Sequence, residues 1–425
     1  AGLLQAEGHE MTENPALADI LMVNTCGFIQ DAKQESIDAI LALSADKNER
    51  QTLIVTGCLS QRYGEELSAL IPEADFFLGV NDYARLPSIL NGKAEGQRVF
   101  RSPCGPVYKE IGQRIAAGPV YTAPLKIAEG CDNVCSYCSI PSIRGPYRSR
   151  NASEILREAR ELASAGCREL VLVAQDVTAY GSDLPGTGHL VRLLEELCSL
   201  DGIRWVRLMY CYEDRITDEL IEAIRNHPKI CKYLDIPLQH CSDNILKRMN
   251  RHSTKASIKA TITKLRKCMP GIVLRTTLIT GFPGETKEDF DELLDFIKEM
   301  RFERLGVFTY SREEGTAAAG FPDQIRKDIK ERRRDRIMAA QRQIALETNL
   351  QMVGAITEVL VEEVMEDGSY CGRTWRDAPE IDDSILFTAD RPLKIGDLVK
   401  VRVTDAFDYD LTGVLQEEVK HESSQ

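Results

Sequence analysis

The sequence is short of histidine, of long apolar runs and of excess positive charge. Only six of its 425 residues are histidine. They are scattered, without the paired spacing of a zinc finger or ribbon. No apolar run reaches the roughly 20 residues a membrane-spanning helix needs. The formal net charge is −13, with a pI near 5.2. That balance argues against a surface that grips nucleic acid as a whole and leaves room for a local basic patch only. Gly281-Phe282-Pro283-Gly284-Glu285-Thr286 lacks the lysine and the glycine spacing of a phosphate loop. Thirteen cysteines are present, an odd number in a long chain without a signal peptide. They point to a reducing compartment and metal chemistry rather than a disulfide framework, so a cytoplasmic location is expected. The length allows two or three domains, each with its own core.

What is present centres on Gly130-Cys131-Asp132-Asn133-Val134-Cys135-Ser136-Tyr137-Cys138. Three thiolates in so tight a loop can bind three corners of one iron–sulfur cubane, and no fourth protein ligand lies nearby. One iron then stays open to a small chelating ligand. Zinc is the alternative, since thiolates suit it too. Structural zinc wants four closed ligands, and Cys167 and the distant histidines do not supply the fourth with a recognisable spacing.

The spacing C-x3-C-x2-C, with the aromatic Tyr137 before the third cysteine, resembles the radical S-adenosylmethionine enzymes. The flanks Ala128-Glu129-Gly130-Cys131 and Ile140-Pro141-Ser142-Ile143-Arg144-Gly145 narrow the likeness to the methylthiotransferases, and within them to the RimO type. The resemblance implies an α/β architecture of three parts. A small N-terminal domain with a parallel sheet (1–90) is followed by a connection (91–118), a partial (β/α)6 barrel (119–322), a connecting helix (323–350) and a small antiparallel β-barrel, the TRAM domain (351–418).

The residues read the same way. Ile20–Asn24 and Thr52–Thr56 are apolar runs of the parallel-strand kind, and each ends in a cysteine, Cys26 and Cys58. In open α/β sheets ligands gather at strand carboxyl ends, which puts both thiols on one rim, although buried structural cysteines fit the pattern as well. The resemblance implies a second 4Fe-4S cluster held by Cys26, Cys58 and a third cysteine in a Gly-Cys-Pro-Lys-Asn context. This sequence lacks that context, so its natural start is expected to be missing. Cys104 has no ligand-like surroundings in the sequence.

Central candidate strands are Pro124–Ala128, Glu169–Ala174, Arg204–Tyr210, Tyr233–Pro237, Ile272–Thr280 and Arg304–Tyr310, with amphipathic stretches such as Ala152–Ala165 and Lys287–Met300 between them. Functional groups of such barrels stand at the carboxyl ends of the strands. Those ends carry Gln175, Gln239 and Glu285, and the resemblance implies that they line a pocket for S-adenosylmethionine together with Tyr137. His240 and His252 read as ordinary hydrogen-bonded histidines, and Cys211, Cys231 and Cys241 as structural. Arg332-Arg333-Arg334 falls on the connecting helix, whose apolar residues Ile329, Ile337, Met338 and Ile344 recur at helix-like intervals. Its arginines therefore read as a solvated face.

The last segment turns to short β-branched strands, Ile356–Val361, Ile385–Thr388, Val399–Val403 and Leu411–Leu415. Gly372-Arg373-Thr374, Ala378-Pro379-Glu380-Ile381-Asp382 and Tyr409-Asp410-Leu411-Thr412-Gly413 resemble the TRAM domain of the RimO type better than that of the tRNA-modifying MiaB type. From Met352 to Leu415 fourteen acidic residues face six basic ones, 6 − 14 = −8. Such a barrel repels RNA and attracts a basic protein. The acidity can also serve solubility alone.

The resemblance implies the following chemistry. Cys131, Cys135 and Cys138 hold a 4Fe-4S cluster that, reduced by an electron donor, splits S-adenosylmethionine. The resulting radical takes hydrogen from the β-carbon of an aspartate in small-subunit ribosomal protein twelve, and a methylthio group fills the position. A β C–H bond offers no acidity to ordinary acid–base catalysis, so the chemistry must be borne by a cofactor. The alternatives are a tRNA methylthiotransferase and a non-catalytic binding module stabilised by metal.

Overall fold

Short apolar runs alternating with amphipathic stretches fold into parallel sheets, because each helical crossover returns the chain in the same direction. The computed structural model describes residues 2–92, 96–105, 107–110 and 120–416. Residues 93–95, 106 and 111–118 of the expected connection 91–118 and the last two residues of the expected domain 351–418 lie outside them. In chain order the strands are β1 (Ile20–Thr25), β2 (Thr52–Gly57), β3 (Phe76–Leu78), β4 (Val99–Phe100), β5 (Thr122–Lys126), β6 (Ala128–Glu129) and β7 (Arg148–Ser149). There follow β8 (Glu169–Val173), β9 (Trp205–Leu208), β10 (Ile230–Asp235), β11 (Val273–Thr280) and β12 (Arg304–Thr309). The last five are β13 (Ile356–Val364), β14 (Tyr370–Thr374), β15 (Ile385–Thr388), β16 (Leu398–Ala406) and β17 (Leu411–Leu415).

The chain divides into two compact units. The first comprises 1–118, 128–151 and 311–322, and the second 119–127, 152–310 and 323–425. In the first, β1 to β4 form a four-stranded parallel sheet in sequence order. β2 is buried from Leu53 to Gly57, as a central strand covered on both faces must be. Its core joins Leu21, Val23, Leu53, Val55 and Phe77 to Ile40, Leu59 and Leu67 of the helices Gln30–Asp46 and Cys58–Leu70. In the same unit β6 and β7 pair antiparallel and pin the base of the three-cysteine loop.

The second unit holds a six-stranded parallel sheet in the order β12-β11-β10-β9-β8-β5. Along β11, Leu274, Thr276, Leu278 and Thr280 are buried while Arg275, Thr277 and Ile279 are half-buried. The sheet thus has one fully covered face and one partly open face.

The C-terminal strands close into a five-stranded barrel, β13-β14-β15-β17-β16. All neighbours run antiparallel except β15 and β17, which run parallel. β14 was not among the expected strands, since its glycine and arginine hide the pattern. Leu360 and Ala378 of this barrel pack with Val171, Trp205, Met209, Cys231, Tyr233 and Val273 of the sheet. Polar groups seal the same junction. Glu169 accepts from Arg207 Nε at 2.7 Å and from Arg373 Nη2 at 2.6 Å. Tyr233 donates to Asp382 at 2.6 Å, and Arg304 Nη2 to Asp377 at 2.6 Å.

These pairings revise the electrostatic picture of the acidic barrel. Glu358, Asp377, Asp382 and Asp383 answer Arg204, Arg304 and Arg275 of the sheet, and Asp408 answers Arg342. Asp410 accepts from the amide and hydroxyl of Ser384 and so fastens a turn. Much of the −8 is therefore compensated internally by arginines outside the counted segment.

Candidate active site

In the first unit the motifs Asn24-Thr25-Cys26-Gly27 and Thr56-Gly57-Cys58 end neighbouring strands, and their turns abut. A Cβ on Gly27 would lie 2.9 Å from the backbone carbonyl of Cys58, so only glycine lets the two turns approach. Thr25 Oγ1 donates to Thr56 O at 2.5 Å, and the Cys26 amide donates to Ser36 Oγ at 3.0 Å. Cys26 is exposed and Cys58 buried.

The three-cysteine loop belongs to the same unit. Gly130 enters it at φ +84°, against the carbonyls of Gly145 and Pro146, where a side chain would collide. The Cys131 amide donates to Gly145 O at 3.1 Å, the Cys138 amide to Cys135 O at 3.1 Å, and the Tyr147 amide to Asp132 Oδ1 at 2.9 Å. Cys131 and Cys135 are buried, and Cys138 and Tyr137 are half-buried. Burial, with the neighbouring Cys135 and Cys131, pushes the Cys138 thiol up to about 12. Among the described residues no three His, Cys, Asp or Glu side chains close around a single ion. A set of three thiols without a fourth ligand fits a cluster better than a zinc ion, which asks for a closed tetrahedron.

Sequence reasoning missed the residues that join the two cysteine groups. Arg144, at the end of the helix Ile140–Arg144 that follows the loop, donates from Nη2 to Cys58 Sγ at 3.1 Å and from Nη1 to Glu129. Ile143 packs against Cys58 and Val80. Cys104 lies beside this helix, accepting from Asn81 Nδ2 at 3.2 Å. Glu313 gathers Lys33 at 2.7 Å, Arg62 at 3.3 Å and Ser311 at 2.6 Å, while Arg62 also donates to Gly27 O at 3.0 Å. Although burial alone would raise the Glu313 carboxyl, its bonds to Lys33 and Ser311 hold it below the usual range. The Glu129–Arg144 pairing had one cue, the fixed flanks of the loop; Glu313 had none.

The second unit carries the remaining strand-end residues. Gln175 follows β8 and is half-buried. Gln239 adopts φ +71°; its amide donates to Thr277 O and its carbonyl accepts from Ile279, both at 2.8 Å. Glu285 is 2% exposed. Its Oε2 accepts from the amides of Gly281 at 2.5 Å and Phe282 at 3.1 Å, and its Oε1 from Arg333 at 2.7 Å. Glu285 therefore shapes the strand-end loop and turns Arg333 inward from the helix Lys327–Leu350, whereas Arg332 and Arg334 pair with nearby aspartates on the surface. His240 is fully buried, accepts from the Ser242 amide at 3.0 Å, and burial pushes its ring down to about 3; His252 is exposed. Cys211, Cys231 and Cys241 are buried.

A parallel six-stranded sheet whose first strand runs into a loop of three cysteines is the framework of a radical S-adenosylmethionine enzyme. Residues 125–297 match the radical SAM superfamily, residues 1–79 the uncharacterized protein family UPF0004, and residues 353–415 the TRAM domain. Solved structures share the fold. The radical S-adenosylmethionine methyltransferase TsrM from Kitasatospora setae, with cobalamin and a [4Fe-4S] cluster bound, superposes with a TM-score of 0.54 at 14% identity, covering 81% of this chain and 71% of that one. Sequence relatives are nearer. The ribosomal protein uS12 methylthiotransferase RimO of Geobacter sulfurreducens is 49% identical over 97% of this chain and 93% of its own length. That of Geotalea uraniireducens is 50% identical over the same shares, and that of Desulforamulus reducens 49% identical over 97% and 95%. The chain belongs to the RimO family of radical S-adenosylmethionine methylthiotransferases. Among the described residues no helix is long and apolar enough to cross a membrane.

Proposed function

We propose that this protein methylthiolates the β-carbon of an aspartate in small-subunit ribosomal protein twelve, the protein named in its relatives' descriptions. Cys131, Cys135 and Cys138 hold a 4Fe-4S cluster, which supplies the electron that splits S-adenosylmethionine. Cys26 and Cys58 hold a second cluster with a further ligand. We assign Tyr137 of the loop, and separately Gln175 and Gln239 at the strand ends, to binding S-adenosylmethionine, and Glu285 contributes by fixing the Gly281–Glu285 turn and Arg333. In this reading the domain 1–90 carries the sulfur, the barrel 119–322 the radical chemistry and the segment 351–418 the basic protein substrate, with an external electron donor in the cytoplasm.

The observation that carries this reading is the bond from Arg144 to Cys58, which ties the helix after the radical loop to the cysteine of the N-terminal sheet within one compact unit. A methylthiotransferase must bring sulfur to the carbon that has just lost hydrogen, and a shared unit keeps the two cysteine groups in register.

The test starts with purification without oxygen and restoration of iron and sulfide. Iron is counted, and the reduced protein is incubated with S-adenosylmethionine and either the ribosomal protein or transfer RNA. Replacement of one hydrogen by a methylthio group in a tryptic fragment of the protein is the expected product. Modification of the RNA alone points to the tRNA enzyme instead, and stoichiometric zinc without iron overturns the enzymatic reading.

A further inference from the structure

Glu313 is 2% exposed and belongs to the segment 311–322, part of the first unit together with the N-terminal sheet and the three-cysteine loop. Its carboxylate meets both helices that follow the N-terminal cysteines. Oε2 accepts from Lys33 at 2.7 Å, in the first turn of the helix Gln30–Asp46, and from Arg62 at 3.3 Å, one turn beyond Cys58 in the helix Cys58–Leu70. Arg62 also donates to Gly27 O, next to Cys26, at 3.0 Å and to Glu314 O. The helix Gln30–Asp46 opens on Ile29, which has no side-chain acceptor to offer its first amides. Ser311 supplies one: its Oγ accepts from the Gln30 amide at 3.4 Å and donates to Glu313 Oε1 at 2.6 Å.

The same segment also holds the radical loop. The amide and hydroxyl of Thr316 donate to Glu313 O at 3.2 and 2.7 Å and close a turn. Two residues further on, the Ala318 amide donates to Ser136 O at 2.8 Å. Ser136 stands between Cys135 and Cys138. One short segment is thus bonded to the turn after Cys26, to the helix that Cys58 opens and to the loop of Cys131, Cys135 and Cys138. Lys33 and Arg62 are buried with Glu313, their side chains 13% and 10% exposed. Buried ion pairs of this kind gain little stability over apolar packing of the same volume, and their best-attested use is to fix one register. The register fixed here is that of the cysteine-bearing turns.

We propose that Glu313 is a positioning residue that keeps the turns of Cys26 and Cys58 in register with the radical loop, and so couples sulfur transfer to the cleavage of S-adenosylmethionine. The inference rests on the function proposed above and names the residue that aligns its two halves.

The test uses the full chain, reconstituted with iron and sulfide, and two readouts. In Glu313→Gln, hydrogen exchange should quicken at 26–33 and 311–322 and stay as in wild type along β1 and β2. Methylthiolated product per S-adenosylmethionine cleaved should fall roughly tenfold to a hundredfold, the cost of a misplacement of about 1 Å. Glu313→Asp, which keeps the charge on a shorter stem, should fall between wild type and the Gln variant in both readouts. Lys33→Met removes one arm and leaves Arg62 paired, and it should show the same pattern more weakly, even where the Gln variant does not fold. Unchanged exchange, an unchanged product ratio, or iron lost from the variants in proportion to product would each overturn the role of Glu313. Wild-type enzyme that cleaves S-adenosylmethionine but never modifies the protein overturns the proposed function instead, whereas a constant ratio against a working wild type overturns the positioning role alone.

Discussion

Arg144 donates from Nη2 to the thiol sulfur of Cys58 across 3.1 Å. Its other nitrogen serves Glu129, at the base of the three-cysteine loop, so one guanidinium bridges a residue of the radical loop and a cysteine of the N-terminal sheet. Charge-assisted bonds of this kind are worth about 1.5–3 kcal/mol. Arg144→Met should therefore lower methylthiolated product per S-adenosylmethionine cleaved by roughly tenfold or more, while cleavage itself continues. Chromatographic counting of 5′-deoxyadenosine and modified peptide in one reaction gives the ratio. An unchanged ratio would show that the bridge has no part in sulfur delivery.

A second relationship holds the C-terminal barrel against the sheet. Glu169 and Arg207 are wholly buried, and Arg373 nearly so. Burial alone would raise the Glu169 carboxyl, but Arg207 and Arg373 outweigh it and hold it at about 2, against an ordinary value of 4.5. A carboxyl depressed on folding contributes stability above its unfolded value and loses it as pH falls toward the folded one. Stability should decline between about pH 4.5 and pH 2, and Glu169→Gln should remove that part of the acid limb. At pH 7 the variant leaves buried guanidinium charge uncompensated and should lose on the order of 3 kcal/mol in urea unfolding.

These two examples also mark where the sequence stops being legible. Parallel strands announce themselves as local apolar runs, so β1, β2, β8 and β11 were readable to within a few residues, as was the three-cysteine loop with its spacing. Arg373 was readable only as part of a motif. Its partner Glu169 lies 204 positions away, and Arg144 is 86 positions from Cys58. Neither pairing leaves a periodic trace, because an ion pair needs one residue from each element. The acidic count of the C-terminal segment misled for the same reason: the arginines that answer its carboxylates belong to the sheet and to the helix Lys327–Leu350.

Asp383 predicts the opposite pH trend from Glu169. Burial raises its carboxyl to about 7; Arg304 pulls it down, but Asp377 and Asp382 push it up. Arg304 is already engaged by Asp377 at 2.6 Å, compared with 3.1 Å to Asp383, so the second carboxylate is poorly compensated. A carboxyl raised on folding contributes stability below its unfolded value, near 3.8, and that stability is lost as pH rises through about 7. Asp383→Asn should match wild type at pH 4 and exceed it at pH 8 by roughly 2 kcal/mol. Thermal or urea unfolding at the two pH values decides it, and a variant less stable at pH 8 would mean that Arg304 needs both carboxylates.

Capture of a basic substrate should depend on carboxylates that have no ion-pair partner among the described residues. Asp408 is spent on Arg342 and Asp410 on Ser384. Glu363 and Glu366, on and just beyond β13, are both exposed. An exposed charge acts through a field that salt screens over about 8 Å at physiological ionic strength. Glu363→Gln with Glu366→Gln should slow association with the ribosomal protein several-fold at low salt and little at high salt. Asp408→Asn should change association less, because Arg342 already cancels its field, and should instead loosen the packing of the helix Lys327–Leu350 against the barrel. Stopped-flow association at three ionic strengths separates the two behaviours. Equal effects of the paired and unpaired carboxylates would mean that overall charge, rather than its unpaired part, draws the substrate in.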